Sequence, residues 1–174
     1  MKKLFLGITI TLLVLSCSSK NENYLVKFYE GRFDEIGVSS GYLNSKGDTI
    51  IPLGKYYYCY TDTIRDFGMV IEKGTGKILG IDQNATELFE IFKTDNGPDY
   101  VKNGLFRIIK NDRIGYANEN GIVVIEPKYK CALSFILGKA KVSDSCKIVI
   151  SSGQKFYVDA KWYYIDTKGN KIEH

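Results

Sequence analysis

The stretch GYANENGIVVIEPKYKCALSFILGKAKVS, residues 115–143, combines a turn signal, an apolar run, a proline and several aromatic residues. Within it, Asn118 stands three residues before Gly121, between aromatic and β-branched residues. Asn at the first position of a type I turn accepts hydrogen bonds from the backbone amides ahead of it. Gly at the fourth position adopts the left-handed conformation that closes a bulged hairpin. The stretch therefore predicts a β-hairpin.

The same turn recurs along the chain, in GYLNSKGDTIIP (41–52), GIDQNATELF (80–89) and YYIDTKGNKI (163–172). The four turns begin at Asn44, Asp82, Asn118 and Asp166, and three of them end in glycine. The second copy has Ala85 at that position, so we expect this copy to be weaker or its loop to differ. Each unit is too small to bury its apolar face alone, which predicts that neighbouring units stack.

A second signature lies between these turns. FGMVIEKGTGKILGID (67–82) aligns with NGLFRIIKNDRIGYAN (103–118). In both segments apolar and polar residues alternate, and a short polar stretch interrupts the alternation. This pattern predicts two strands joined by a tight turn. Gly104 precedes Tyr116 by 12 residues, whereas Gly138 precedes Tyr164 by 26. The difference predicts an insertion of about 14 residues within 143–160.

These units resemble the WG-repeat family, whose units begin with Gly and an aromatic residue. An Asp-x-x-Gly turn, an apolar run ending in Pro, a Tyr, a Phe and a Gly-x-Ala-x-Val strand then follow. The third copy matches that pattern at Gly115, Tyr116, Asn118, Gly121, Ile125, Pro127, Tyr129, Ala132, Phe135, Gly138, Ala140 and Val142. The resemblance covers roughly residues 30–172 and implies a β-repeat protein.

Short alternating segments, frequent turns and 13 tyrosines predict an all-β fold of antiparallel β-hairpin repeats. About three and a half WG-like units lie near residues 41–79, 80–114, 115–162 and 163–174, in an open twisted array or a propeller-like sheet. Segment 86–95 fits a strand or a helical turn. Pro52 and Pro127 follow apolar runs, where the missing amide donor is expected to end strand pairing and turn the chain.

The chain begins MKKLFLGITITLLVLSC, with two lysines, twelve uncharged and mostly apolar residues from Leu4 to Leu15, then Ser16 and Cys17. This is the pattern of an export signal, and its apolar core is too short to span a bilayer. Residues 14–17 resemble the lipobox of bacterial lipoproteins, which implies lipidation of Cys17. We therefore expect a signal peptide over 1–16, a tether over 17–25 and a β-repeat domain over 26–174. That protein would be anchored by lipid to a membrane of the bacterial cell envelope, outside the cytoplasm.

Charge and cysteine content exclude several classes of function. Without residues 1–16 the chain carries 22 Lys and Arg against 20 Asp and Glu, a balance that does not favour nucleic acid. Cys59, Cys131 and Cys146 can form at most one internal disulfide. Their spacing and the single histidine, His174, give no support for a metal site or a cofactor.

No set of residues in the sequence predicts a catalytic centre. A Ser–His or Cys–His nucleophile needs an imidazole, and the only one belongs to the last residue, His174, where fraying is expected. Glu87 with Glu90, or residue 95 with Asp99, could serve glycoside hydrolysis, but acidic residues are common in exposed loops. A small cell-envelope carbohydrate hydrolase is therefore the alternative function.

The run GKYYYCY, residues 54–60, departs from the repeat pattern. Tyr56, Tyr57, Tyr58 and Tyr60, with Trp162, could form a face that stacks on sugars or on a partner. Alternatively, every second tyrosine of this run faces the core. We expect a non-enzymatic module that binds an envelope protein, a peptide or a glycan. A purely structural spacer, without an exposed tyrosine patch, is the third hypothesis.

Overall fold

The structure is a computed structural model that describes residues 23–94, 97–151 and 154–173. The predictions made for the signal peptide, Cys17, Asp95 and His174 lie outside these residues. Every regular element in the described ranges is a β-strand, and each strand pair is antiparallel. The all-β prediction is confirmed. The described ranges also contain no helix long and apolar enough to cross a membrane.

The strands follow one another closely along the chain. In order they are β1 (Leu25–Tyr29), β2 (Ser40–Asn44), β3 (Thr49–Ile51), β4 (Tyr58–Cys59), β5 (Thr63–Ile64), β6 (Gly68–Ile71), β7 (Ile78–Ile81), β8 (Glu87–Ile91), β9 (Lys93–Thr94), β10 (Gly97–Pro98), β11 (Leu105–Lys110), β12 (Arg113–Asn118), β13 (Val123–Tyr129), β14 (Cys131–Ala132), β15 (Lys139–Ser143), β16 (Lys147–Ser151), β17 (Gln154–Val158), β18 (Tyr163–Asp166) and β19 (Lys171–Ile172).

Four three-stranded meanders organise these strands. We call β1–β2–β3 the first meander, β6–β7–β8 the second, β11–β12–β13 the third and β15–β18–β19 the last. The second and third meanders join through β8 and β11 into a seven-stranded sheet of order β13-β12-β11-β8-β7-β6-β4. The first and last meanders each form a four-stranded sheet, completed by β5 and by β14.

The predicted turn connects the second and third strands of every meander. In each copy the side-chain Oδ1 of the first residue accepts hydrogen bonds from the backbone N–H groups two and four residues ahead. The fourth residue has a positive φ, 89° at Gly47 and 61° at Ala85. The expectation that the Ala85 loop might differ is wrong, because Ala85 adopts the same left-handed conformation. Its effect on stability stays a prediction.

The glycine that opens a unit is explained by close backbone packing. A Cβ added at Gly41 would lie 2.3 Å from the carbonyl oxygen of Ile51, and one added at Gly115 would lie 2.4 Å from that of Ile125. In both meanders the third strand crosses directly against the second at this point. Only glycine leaves room for that crossing.

Of the two predictions about prolines at strand ends, one agrees with the structure and the other is wrong. Pro52 directly follows β3, as predicted. Pro127 lies inside β13, so the prediction that it ends pairing is wrong. Strand β13 is at the edge of its sheet and its pairing with β12 shifts register between Ile114 and Tyr116, so the missing amide hydrogen is tolerated. In segment 86–94, for which strand and helix were both open, the chain forms strands β8 and β9.

The inserted segment forms a separate hairpin. Strands β16 and β17 pair with each other and with no other strand of the described ranges. A disulfide between Cys131 and Cys146 holds the start of the hairpin to strand β14, and Tyr157 packs edge-on against Trp162 at 5.8 Å. Cys59 is buried as a free thiol. One internal bridge and one thiol agree with the count expected from the sequence.

The first and third meanders bury equivalent residues. Leu25, Tyr42 and Ile51 lie in one apolar cluster, and the residues at the same positions of the third meander lie in another, namely Leu105, Tyr116 and Ile125. Each cluster also takes an isoleucine from the next meander, Ile81 or Ile165. Adjacent meanders therefore share a core, as stacking of units requires.

Candidate binding site

The tyrosine run does not present its rings on one surface. Tyr56 and Tyr58 are buried, Tyr60 is half-buried against Tyr58 with ring centroids 5.2 Å apart, and only Tyr57 is exposed, at 49%. Alternate tyrosines thus face the core, which is one of the two arrangements that the sequence allowed. Trp162 is half-buried against Tyr157. The structure does not bring Trp162 and these four tyrosines together as one face.

The acidic pairs are held by cations and by hydrogen bonds. Glu87 and Glu90 border a shallow depression of about 390 Å³. Glu90 forms an ion pair with Lys77 at 2.7 Å. Asp99, which is buried, accepts three hydrogen bonds from Arg107. A general acid for glycoside hydrolysis must be kept protonated by burial or by a second carboxylate, whereas Glu90 and Asp99 both face cations.

A cation and a tyrosine face each other across two strands in three meanders. Lys27 on β1 is opposite Tyr42 on β2, and Arg107 on β11 is opposite Tyr116 on β12. The last meander repeats the pair on β15 and β18 with Lys141 and Tyr164. Cross-strand partners project from the same face of a sheet. This face therefore carries the same two chemical groups three times.

In the first meander the pair is covered by residues 58–64. The Tyr42 hydroxyl donates a hydrogen bond to the Thr61 carbonyl at 2.6 Å, and Lys27 forms ion pairs with Asp34 and, at 2.7 Å, with Asp62. The Lys27 side chain is only 4% exposed. Its burial acts to lower its pKa, but the two aspartates outweigh this effect and raise the pKa above its ordinary value. For Tyr42, burial itself raises the pKa.

In the third meander the pair is covered on both sides. The Tyr116 hydroxyl donates to the Leu133 carbonyl at 2.7 Å, and Arg107 donates to the Ala132 carbonyl at 3.2 Å. On the other side Asp99 binds the guanidinium group, which also lies 3.8 Å from the ring centroid of Phe92. Burial raises the pKa of Tyr116. The covering segment again brings a backbone carbonyl to the tyrosine.

The second meander fills this position with aromatic rings instead. Gly80 replaces the tyrosine and is opposite Met69, so neither partner of the polar pair is present. A Cβ at Gly80 would lie 2.7 Å from a ring carbon of Phe67 and 2.8 Å from one of Phe89. The two rings occupy the space that a tyrosine side chain would take. The second meander therefore needs no covering carbonyl.

In the last meander the same face borders an open groove. The groove has a volume of about 760 Å³, and we call it the Lys141 groove. It is lined by Leu133, Ser134, Ile136, Leu137, Lys139, Lys141, Tyr164 and Ile172. The Lys141 ammonium lies 5.5 Å from the centroid of the Tyr164 ring. Among the described residues Lys141 contacts no carboxylate.

Comparison with models of known families, with curated proteins and with solved structures finds no match to this chain.

The wall of the Lys141 groove ends in an exposed apolar hairpin tip. Ile136 is 73% exposed and Leu137 is 92% exposed. Leu137 has φ 51°, and the matching turn of the third meander has Asn103 at φ 53°. Asn adopts this left-handed conformation readily, whereas a bulky Leu rarely does. The chain thus holds an apolar side chain in solvent at a position where Asn is the favourable residue.

The two tips are fixed side by side. The backbone N–H of Gly138 donates a hydrogen bond to the side-chain oxygen of Asn103 at 3.1 Å. A second depression of about 370 Å³ lies between the tips and is bordered by Lys102, Phe135 and Ile136. Among the described residues that line the two cavities, lysines are the charged ones, and no carboxylate is present. The Lys141 groove is therefore apolar with a basic edge.

Sequence reasoning missed the Lys141 groove. The signal was a cation two residues after the first residue of strands β1, β11 and β15, at Lys27, Arg107 and Lys141. Whether such a cation borders an open groove depends on which residues cover it, and the covering residues are distant in sequence. The strand registers, not the sequence, make Lys141 equivalent to Lys27 and Arg107.

Proposed function

We propose that this protein is a non-enzymatic binding module, tethered by lipid on Cys17 to a membrane outside the cytoplasm. Its binding surface is the Lys141 groove, and its partner is a segment of another envelope protein. The observation that carries the proposal is the threefold cation–tyrosine pair. The pair is covered by the chain in the first and third meanders and borders an open apolar groove in the last.

The disulfide supports the proposed location. Disulfides form and persist in oxidising compartments and are rare in the cytoplasm. The bridge between Cys131 and Cys146 closes a sequence separation of 15 residues and ties the inserted hairpin to strand β14. A module that works outside the cytoplasm benefits from this covalent constraint.

Cross-linking in intact cells tests the binding surface. A photoreactive phenylalanine analogue is placed at Ile136 in the groove wall and, as a matched control, at Ile122, which is also an exposed isoleucine. We expect a covalent adduct with another envelope protein from position 136 and none from position 122. Equal labelling at both positions, or none at position 136, would refute the proposed binding surface.

The anchor has an independent test. Replacing Cys17 by Ala should abolish incorporation of a labelled fatty acid and release the protein from the membrane fraction. Labelling that persists in Cys17→Ala would exclude the lipid anchor. The groove proposal does not depend on this result, because the cross-linking experiment reads contact with a partner and not membrane attachment.

A further inference from the structure

We infer that the occupant of the Lys141 groove is an extended polypeptide segment that carries a carboxylate beside apolar side chains. This inference rests on the proposed function and specifies the chemistry of the partner. The chain itself shows what a suitable occupant looks like, since it covers the equivalent face twice with its own residues. These two covers are the segments 58–64 and 131–135.

Both covers are extended and use their backbone. Segment 58–64 contains strands β4 and β5, and segment 131–135 contains strand β14. Each brings one carbonyl to a tyrosine hydroxyl, from Thr61 in the first case and from Leu133 in the second. A peptide in the same extended form can lie along the corresponding face of the last meander.

The carboxylate follows from the charge of Lys141. An occupant that covers the groove removes this ammonium from water, and a buried charge is tolerated only when it is paired. The chain obeys this rule at the two equivalent positions, where Lys27 pairs with Asp34 and Asp62 and Arg107 pairs with Asp99. The residues that line the groove include no carboxylate. The occupant must therefore bring one.

The apolar part follows from the groove wall. Each cover buries a large apolar side chain against its meander, Ile64 in the first and Phe135 in the third. Phe135 also stacks edge-on against the Tyr116 ring at 4.8 Å. In the last meander Ile136, Leu137 and Ile172 border the groove and offer the matching contact surface. A segment with one acidic and one or two aliphatic or aromatic residues satisfies both requirements.

A peptide copied from the chain's own cover is the probe. Residues 58–64 give the peptide YSYTDTI once Cys59 is replaced by Ser, and a control peptide carries Asn in place of the aspartate. Binding of the fluorescently labelled peptides to the full-length protein in detergent is measured by anisotropy. We expect saturable binding of the acidic peptide and about tenfold weaker binding of the Asn peptide, because the charge-assisted contact is lost.

Protein variants identify the pairing residue. Lys141→Met should weaken the acidic peptide about tenfold and remove the difference between the two peptides. Lys141→Arg should retain that difference. Lys46→Met removes an exposed lysine in the first turn and should change neither affinity. Thermal unfolding confirms that the variants fold. Equal affinities for the two peptides, or a difference that survives in Lys141→Met, would overturn the inference.

The outcomes separate this inference from the proposed function. An adduct at position 136 together with equal affinities for the two peptides refutes the acidic segment and retains the binding surface. Absence of the adduct refutes the binding surface itself. Vesicles of phosphatidylglycerol provide a further arm. Suppose that the Cys17→Ala protein cosediments with these vesicles, that Leu137→Asn abolishes the cosedimentation, and that the peptide does not bind. The occupant would then be an anionic lipid surface, and the inference would be overturned.

Discussion

Replacing Asp99 by Ala tests the rule that a buried cation in this fold needs a carboxylate. The side chains of Asp99 and Arg107 are 2% and 10% exposed, and the carboxylate accepts bonds of 2.7–2.9 Å from Nη2, Nε and the backbone N–H of Arg107. Without it the guanidinium group retains the Ala132 carbonyl and the Phe92 ring. Removal of one partner from a buried pair typically lowers the free energy of unfolding by about 3–5 kcal/mol.

A second substitution separates the loss of the pair from the loss of a side chain. In the double variant Asp99→Ala with Arg107→Met no charge is left buried, so we expect it to be more stable than Asp99→Ala by about 2 kcal/mol. Recovery is incomplete, since the backbone N–H of residue 107 still lacks its acceptor, at a cost of about 1–2 kcal/mol.

Urea unfolding followed by tryptophan fluorescence measures both effects. Lys147→Met breaks the exposed ion pair with Asp159 and serves as the control, with an expected loss below about 1 kcal/mol. The reasoning is refuted if Asp99→Ala is no more destabilising than this control. It is also refuted if the double variant is less stable than Asp99→Ala alone.

Three further predictions concern the turns, the buried lysine and the disulfide. No atom lies within 4 Å of a Cβ added at Gly47, so Gly47→Ala should cost about 1 kcal/mol through backbone strain alone, while Ala85→Gly should stabilise by about 0.5 kcal/mol; unchanged urea midpoints would contradict this. The pKa of Lys27 is raised above 10.5, so the stability it contributes is fully present below its unfolded pKa and is lost as pH rises through the higher folded value. Lys27→Met should lack this component of the alkaline loss, and identical pH profiles of the two proteins would disprove it. Reduction of the bridge between Cys131 and Cys146 should lower the free energy of unfolding by about 3 kcal/mol, and the double Ala variant should be insensitive to reductant; a parent protein equally stable with and without reductant would contradict the estimate.

The turns could be predicted because their causes are local. Asn118 accepts the amide hydrogens two and four residues ahead, and all the atoms concerned lie within a five-residue segment. The same local pattern identified Asn44, Asp82 and Asp166 as the first residues of the other three turns. The insertion was also predictable, since a change in spacing between Gly138 and Tyr164 is visible in the sequence alone.

Predictions that depended on neighbouring strands were less successful. Pro127 lacks an amide hydrogen in every context, but the consequence depends on whether its strand has a partner on that side. Strand β13 is at an edge and shifts register near this residue, so the strand continues. Strand β8 was ambiguous because Leu88, Ile91 and Phe92 also share a helical face; in the sheet Phe89 and Ile91 alternate inward.

The cation–tyrosine pair shows why sequence reasoning stops before the site. Lys27, Arg107 and Lys141 occupy equivalent positions, and nothing local distinguishes the third from the first two. The difference lies in whether a segment with an acidic or carbonyl group returns over the pair. An aspartate placed 35 residues after Lys27 does so, and one placed eight residues before Arg107 does so.

A cation–tyrosine face of this kind is therefore a candidate binding surface wherever no segment of the described chain covers it. Within the first and third meanders the tyrosine hydroxyl, the cation and the apolar cluster are satisfied internally, and those faces serve stability. In the last meander the apolar cluster of Ala140, Val142 and Ile165 is buried on the inner face, so this sheet is stable without a cover. Its outer face, with Lys141 at the centre, is the surface that we propose for binding, and no segment of the described residues needs to cover it for the sheet to fold. This separation of a folded inner face from an open outer face predicts that Lys141→Met will weaken binding of the acidic peptide while leaving the urea midpoint unchanged, and a variant that loses both would refute it.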